Sequence, residues 1–275
     1  MSAAQKTTKI IITGASRGIG RSLAQQMSKI ASTKNQRSHL LLTATKREAL
    51  EQVSQSCTND QCAVSVICGD ITEQSTVQEL KQFVQEKWGG EINVLIHNAG
   101  VIDPICKISQ LAEDPQLMDA FPRNVQVNFL SVVQMTSHLL HYLRAVRGNV
   151  LFVSSGAANR AIDGWSAYCC AKTALFRFAD SLALEEKEHG INVISVRPGV
   201  VDTDMQRDIR STGVDQMKDY EFFKELHEQK KLLDPNLTAE RICPLALDIP
   251  VEWTGELVNH DDDKVIEHAN KFYQQ

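Results

Sequence analysis

Thr13-Gly14-Ala15-Ser16-Arg17-Gly18-Ile19-Gly20 closes the apolar run Lys9-Ile10-Ile11-Ile12 and opens a stretch with Leu23, Met27 and Ile30 at near-helical spacing. A strand that enters a glycine-rich turn and leaves as a helix is a βα unit built for close approach. The glycines let the backbone turn sharply. They also let a pyrophosphate reach the N–H groups and the positive dipole end at the helix N-terminus. The spacing is GxxxGxG, not the more familiar GxGxxG. The strand before it and the helix after it raise the turn above an ordinary loop.

Outward from this unit, short β-branched runs recur at residues 9–13, 39–43, 63–68, 92–97, 149–154, 191–196 and 256–258. They are nearly continuous apolar runs, as expected of parallel strands buried on both faces. Helical spacing fills the intervals, as at Leu130, Val133, Leu140 and Leu143, and again at Leu175, Ala179, Leu182 and Ala183. Strand alternating with helix predicts right-handed βαβ units and an α/β fold with one doubly wound parallel sheet of about seven strands. No repeat or Pro/Gly/Ser linker divides the chain, so residues 1–275 are read as a single domain. The charged stretch 202–236 is expected to be a helical insertion that covers a substrate pocket.

Composition excludes several classes of function. The 275 residues are 43% hydrophobic and 23% charged, with a net charge of −5, which is the balance of a folded domain. A mildly acidic chain lacks the basic footprint of a nucleic-acid binder, so phosphate recognition must be local. No run of 18 apolar residues offers a membrane span, and the N-terminal MSAAQKTTK has no apolar leader. The seven cysteines are odd in number and scattered. They read as reduced thiols in a cytoplasmic protein, with no metal-ligand spacing.

Further candidate residues fall at strand ends: Asp70-Ile71, His97-Asn98-Ala99-Gly100 and Ser154-Ser155. Open α/β sheets bind ligands at that edge. Tyr168 and Lys172 stand at i and i+4, so one helical face presents both. Ser155 precedes Tyr168 by thirteen residues, and Asn128 lies in an earlier helical segment.

Taken in order, Thr13–Gly20, Asn98-Ala99-Gly100, Asn128, Ser155, Tyr168, Lys172 and Pro198-Gly199 resemble the short-chain dehydrogenase/reductase family over nearly the whole chain. The detail is similar to its sepiapterin reductase and fungal benzil reductase group. The residues behind that are Ser154-Ser155-Gly156-Ala157, Gly164-Trp165-Ser166-Ala167-Tyr168, Leu184-Glu185-Glu186, the run 198–206 and Leu232-Leu233-Asp234. The resemblance implies a Rossmann-type fold and hydride transfer between a nicotinamide cofactor and a carbonyl carbon. A developing alkoxide needs a proton, and a phenol with an ammonium beside it delivers one at neutral pH. Tyr168 is thus expected as acid/base and Lys172 as its electrostatic partner, also reaching the nicotinamide ribose. Ser155 is expected to hold the carbonyl oxygen. By resemblance, Asn128 holds a water that passes protons toward Lys172.

The resemblance also implies the cofactor contacts. Gly14, Ser16, Arg17, Gly18, Ile19 and Gly20 would cradle the pyrophosphate. Asp70 and Ile71 would border the adenine, and Asn98, Ala99 and Gly100 the adenosine ribose and nicotinamide side. Pro198, Gly199, Val201 and Thr203 would lie against the nicotinamide and its carboxamide. An NAD-preferring site places an acid at the end of the second strand, where Ala44 stands here. With Thr45, Lys46 or Arg47 beyond it and Arg17 in the turn, the expectation is NADP(H). His97 replaces the more usual Asn.

On the substrate side, Trp165, Met205, Gly199 and Asn259 are expected to join Ser155 and Tyr168. The pterin-reducing relatives use an acid after the last strand, and here Asn259 takes its place. An amide cannot make the charge-assisted bidentate contact of a carboxylate. The expectation is therefore an α-dicarbonyl or aromatic ketone reductase, with a pterin carbonyl reductase as the alternative. The acidic run 261–263 could restore the acid by a register shift. A non-enzymatic nucleotide sensor on the same fold is the competing class, although a sensor has no need of Ser155, Tyr168 and Lys172. The family's way of pairing two long helices points to residues 127–146 and 165–189 as the face of a homodimer.

Overall fold

A computed structural model of the protein describes residues 6–214 and 216–274. Residues 1–5, which bear on the reading of the N-terminus, and Asp215, inside the expected insertion, lie outside the described residues, as does Gln275. The strands are β1 (Thr8–Thr13), β2 (Ser38–Ala44), β3 (Cys62–Cys68), β4 (Val94–His97), β5 (Asn149–Val153), β6 (Asn192–Arg197) and β7 (Leu257–Asn259). All pair in parallel in the order β3-β2-β1-β4-β5-β6-β7. The order reverses between β1 and β4, which opens a crevice at the carboxyl edge. The sheet is the doubly wound one read from the sequence, with strand ends shifted by a residue or two.

The helices are α1 (Gly18–Thr33), α2 (Arg47–Cys57), α3 (Gln74–Trp88), α4 (Pro115–Val125), α5 (Ser131–Arg144), α6 (Ser166–Glu185), α7 (Asp204–Thr212), α8 (Tyr220–Glu228), α9 (Pro235–Leu247) and α10 (Asp263–Gln274). Alternate residues of each central strand feed opposite cores, because strand side chains alternate. Ile10, Ile12, Leu40 and Leu42 pack with Leu23, Met27, Ile242 and Leu245 from α1 and α9. Ile11, Leu41 and Leu95 pack with Leu80, Leu139, Leu175 and Leu182 from α3, α5 and α6. Both faces are covered, which explains why the strands read as unbroken apolar runs.

A third cluster sits apart from the sheet. Ile102, Ile105, Ile162, Trp165 and Tyr168 meet Ile209 of α7, Met217, and Phe223 of α8. The expected insertion is thus two short helices, α7 and α8, each held down by one buried face. It is tied to the sheet edge by a bridge between Val201 and Leu233. Among the described residues no helix is long and apolar enough to cross a membrane.

Candidate active site

The first turn is closed by two polar side chains. Thr13 Oγ1 accepts from the backbone N–H groups of Asn98 and Ala99, both at 3.0 Å. Asn98 Nδ2 donates back to the carbonyls of Thr13 at 2.9 Å and Gly14 at 3.2 Å. The backbones come so close that a Cβ on Gly20 would lie 2.2 Å from the Gly14 oxygen. Gly14 has φ +66, and a Cβ on it would lie 2.8 Å from Ala99 Cα. No acid stands in the first turn of α1, and Arg17 gives its N-terminus no side-chain cap. That leaves first-turn N–H groups and the dipole for an anion.

This turn is one end of a cavity of about 950 Å³ along the carboxyl edge of the sheet. Gly14, Ser16, Arg17, Gly18, Ile19, Gly20, Thr45, Asp70, Ile71, Asn98, Ala99 and Gly100 line that end. Ser155, Tyr168, Lys172, Pro198, Gly199, Val201, Thr203, Met205, Trp165 and Asn259 line the rest. Three residues named from the sequence do not. Lys46, extended just ahead of α2, and Arg47, the first residue of α2, are exposed and outside the lining. Asn128 is fully buried behind the wall.

Arg17 reaches across the cleft mouth to Asp204 at the start of α7, with Nη1 2.5 Å from Oδ2. Arg207 also pairs with Asp204. The Asp204 carboxyl lies below its usual range, chiefly through the hydrogen bond from Arg17. At the other end, Arg123 of α4 pairs with Asp70 and donates to Thr72 Oγ1 at 2.7 Å. Burial pushes the Asp70 carboxyl up, but the hydrogen bonds from Thr72 and Arg123 outweigh it and hold the group low.

Tyr168 and Lys172 share the first turns of α6, and both are buried. Burial pushes the Tyr168 phenol up to about 12, with a Ser155 hydrogen bond pulling the other way. Burial lowers the Lys172 ammonium to about 8. The depressed phenol expected from an adjacent ammonium is therefore not found. Desolvation dominates, and Lys172 Nζ lies 5.6 Å over the Tyr168 ring while donating to the Val153 carbonyl at 3.0 Å. Ser155, at the end of β5, accepts from Ala157 N–H at 3.2 Å. Its neighbour Ser154 carries a buried hydroxyl without a partner on the same wall.

Asn128 sits in a π-helical turn, Gln126–Leu130, between α4 and α5. Its amide binds the backbone of Val101, donating to the carbonyl at 2.8 Å and accepting from the N–H at 3.2 Å. It also donates to Asn124 Oδ1 at 2.8 Å. Gly100 stands between Asn128 and Lys172. A Cβ on it would lie 2.7 Å from Asn128 Oδ1 and 3.7 Å from Lys172 Nζ.

On the substrate side, Trp165 stacks on Phe223 with centroids 5.3 Å apart and meets Tyr168 edge-on at 5.8 Å. Its indole N–H points to Met217 Sδ at 3.2 Å. Trp165 lines the cavity, but one ring face is covered by α8. Asn259 donates to Asp262 Oδ1 at 2.8 Å, so that amide N–H is engaged. Asp261 lines the wall beside it. Sequence reading missed Arg123, Asn124 and His260. Asn124 alone had a visible signal, as an Asn four residues before Asn128 on a helix. Among the described residues no cluster of three His, Cys, Asp or Glu gathers to hold a metal.

Known proteins resemble this chain over most of its length. The pattern of a family described as short chain dehydrogenase matches residues 8–213. A benzil reductase, (S)-benzoin forming, of Saccharomyces cerevisiae is 34% identical over 262 residues, covering 93% of this chain and 97% of its own. The sepiapterin reductase of Bos taurus is 30% identical, covering 86% and 89%. A crystal structure of a short chain dehydrogenase/reductase from Saccharomyces cerevisiae superposes with a TM-score of 0.84 at 32% identity. It covers 95% of this chain and 99% of that one.

Proposed function

The chain belongs to the short-chain dehydrogenase family, oxidoreductases acting on carbonyl and hydroxyl groups, and from that premise we propose that it is an NADP(H)-dependent carbonyl reductase taking benzil-like α-dicarbonyls or aromatic ketones. The observation that carries this reading is the convergence of Ser155, Tyr168 and Lys172 on one cavity wall beside the apolar cluster of Ile102, Ile162 and Trp165.

A reduced nicotinamide held in this cavity would supply the hydride that the carbonyl carbon takes. Ser155 holds the carbonyl oxygen as the C=O electron pair moves onto it. Tyr168, kept protonated by burial, gives its proton to that oxygen, and the Lys172 ammonium favours the phenolate left behind. Asn128, packed against Gly100 on the side facing Lys172, is the residue assigned to hold a water that returns the proton.

The cradle fits a dinucleotide, since the N-terminus of α1 lies in the cavity wall with no side-chain cap and no acid in its first turn, which leaves N–H groups and the dipole for phosphates. Ala44 at the end of β2 offers no carboxylate to repel a 2′-phosphate, which supports NADP(H) over NAD(H). Arg17, on leaving Asp204, supplies positive charge. In this reading the protein is a cytoplasmic homodimer joined through α5 and α6.

The test is Tyr168→Phe. Reduction of benzil with NADPH falls by about a hundred-fold or more, while NADPH still binds. Near-wild-type turnover overturns the assignment. One observation favours a pterin substrate as a second reading: Asp261, whose carboxylate on the cavity wall could take a guanidine-like edge. Faster turnover of sepiapterin than of benzil would select it. Tight NADPH binding without turnover of either would leave a nucleotide sensor.

A further inference from the structure

Gly156 follows Ser155 and opens a short turn, Gly156–Ala158, on the cavity wall. Every other glycine of the chain has a structural reason. Each either has a positive φ or would bring its Cβ within 3 Å of a neighbour. Gly156 has neither. Its backbone lies outside the left-handed region, and a Cβ built on it meets nothing within 4 Å. An alanine at a position with compatible backbone would stabilise the fold by restricting the unfolded chain. The fold therefore has no use for this glycine, and the cavity is the place where its missing side chain makes a difference.

We propose that Gly156 is a specificity-determining residue, its bare backbone leaving room beside Ser155 for the second bulky arm of a carbonyl substrate. The inference rests on the carbonyl-reductase reading and deepens it by naming the substrate class. A carbonyl oxygen held by Ser155 carries one substituent on each side. One arm meets the apolar wall of Ile102, Ile162 and Trp165. The other passes over Gly156, where a methyl or isopropyl group would occupy its space. A carbonyl with a bulky group on both sides, such as a diaryl 1,2-diketone, needs that opening, and a small dialkyl diketone does not.

The experiment compares wild type, Gly156→Ala and Gly156→Val by kcat/KM with NADPH for benzil and for butane-2,3-dione. The expected result is a fall in the benzil-to-butanedione ratio, partial in the alanine variant and about ten-fold or more in the valine variant. The alanine variant should unfold at the same temperature as wild type or higher. An unchanged ratio overturns the proposal, whether both rates hold or fall together, and so does an alanine variant less stable than wild type. Should wild type turn over neither diketone, the functional reading fails by itself. Size selection is then judged by calorimetry of benzil with the NADP-loaded protein: weaker binding to Gly156→Val sustains it, and the same result for both proteins overturns it.

Discussion

Lys172 Nζ lies 5.6 Å over the ring of Tyr168, one helical turn away on α6, and anchors on the Val153 carbonyl. The protonation of the pair is set chiefly by burial. Burial keeps the phenol protonated and leaves the ammonium at about 8, so the two groups are in the states reduction needs only below that pH. Benzil reduction should hold level from about pH 6 to 7 and then decline around pH 8 as Lys172 loses its proton. A pH profile of kcat with saturating NADPH reads this directly. A profile flat to about pH 10 would remove Lys172 from the role.

Arg17 and Asp204 join the glycine turn to α7 through an ion pair at the cleft mouth. Both side chains are partly exposed, so the pair itself contributes little to stability. Its consequence is competition, since Arg17 must leave Asp204 to meet a cofactor phosphate. Arg17→Ala should weaken NADPH by about ten-fold, one lost charge-assisted contact, and NADH much less. Asp204→Asn should tighten NADPH. Fluorescence titration of both cofactors separates these outcomes, and equal losses for NADPH and NADH in Arg17→Ala would place the cation away from the 2′-phosphate.

Asn124 is fully buried and reaches three consecutive carbonyls, those of Val101 at 3.3 Å, Ile102 at 3.2 Å and Asp103 at 2.6 Å. It also accepts the amide of Asn128. The loop it holds lines the cavity, with Ile102 in the same apolar cluster as Tyr168. Asn124→Ala leaves several buried polar groups without partners, a cost on the order of 3 kcal/mol. Urea unfolding should show that loss, with a raised KM for the diketone. A variant as stable as wild type would mean that the loop holds itself.

What could be read from the sequence follows from the range of each interaction. Strands β1 to β6 were legible because apolar runs such as Ile10-Ile11-Ile12 report two covered faces without naming what covers them. The glycine turn was legible because strand, turn and helix are adjacent in the chain. Tyr168 and Lys172 were placed together by helical periodicity, but their protonation was not, since desolvation depends on every element packed around α6. Lys46 illustrates the same limit. Its sequence position beside Ala44 suggested the cofactor, and an extended residue ahead of α2 took it outside the cavity. Arg123 with Asp70 and His260 beside Gly199 are unions of residues far apart in the chain, for which one sequence carries no local signal.

His97 ends β4, the central strand of the sheet. It is buried, stacked on Phe152 at 5.1 Å, with Nε2 2.9 Å from Thr136 Oγ1. Burial, aided by the charge of Lys172, lowers its pKa to about 3. Folded His97 thus stays neutral over a range in which the unfolded chain takes up a proton at 6.5. The unfolded state binds more protons there, so stability is full above pH 6.5 and drains away as pH falls toward 3. The slope is about 1.4 kcal/mol per pH unit for one group, giving a loss of about 2 kcal/mol between pH 7.5 and pH 5. His97→Asn removes the titration while leaving an amide that can bond Thr136. Urea unfolding of both proteins at the two pH values should show the wild type losing about 2 kcal/mol more than the variant, and parallel losses would mean that His97 is already neutral in the unfolded chain or charged in the fold.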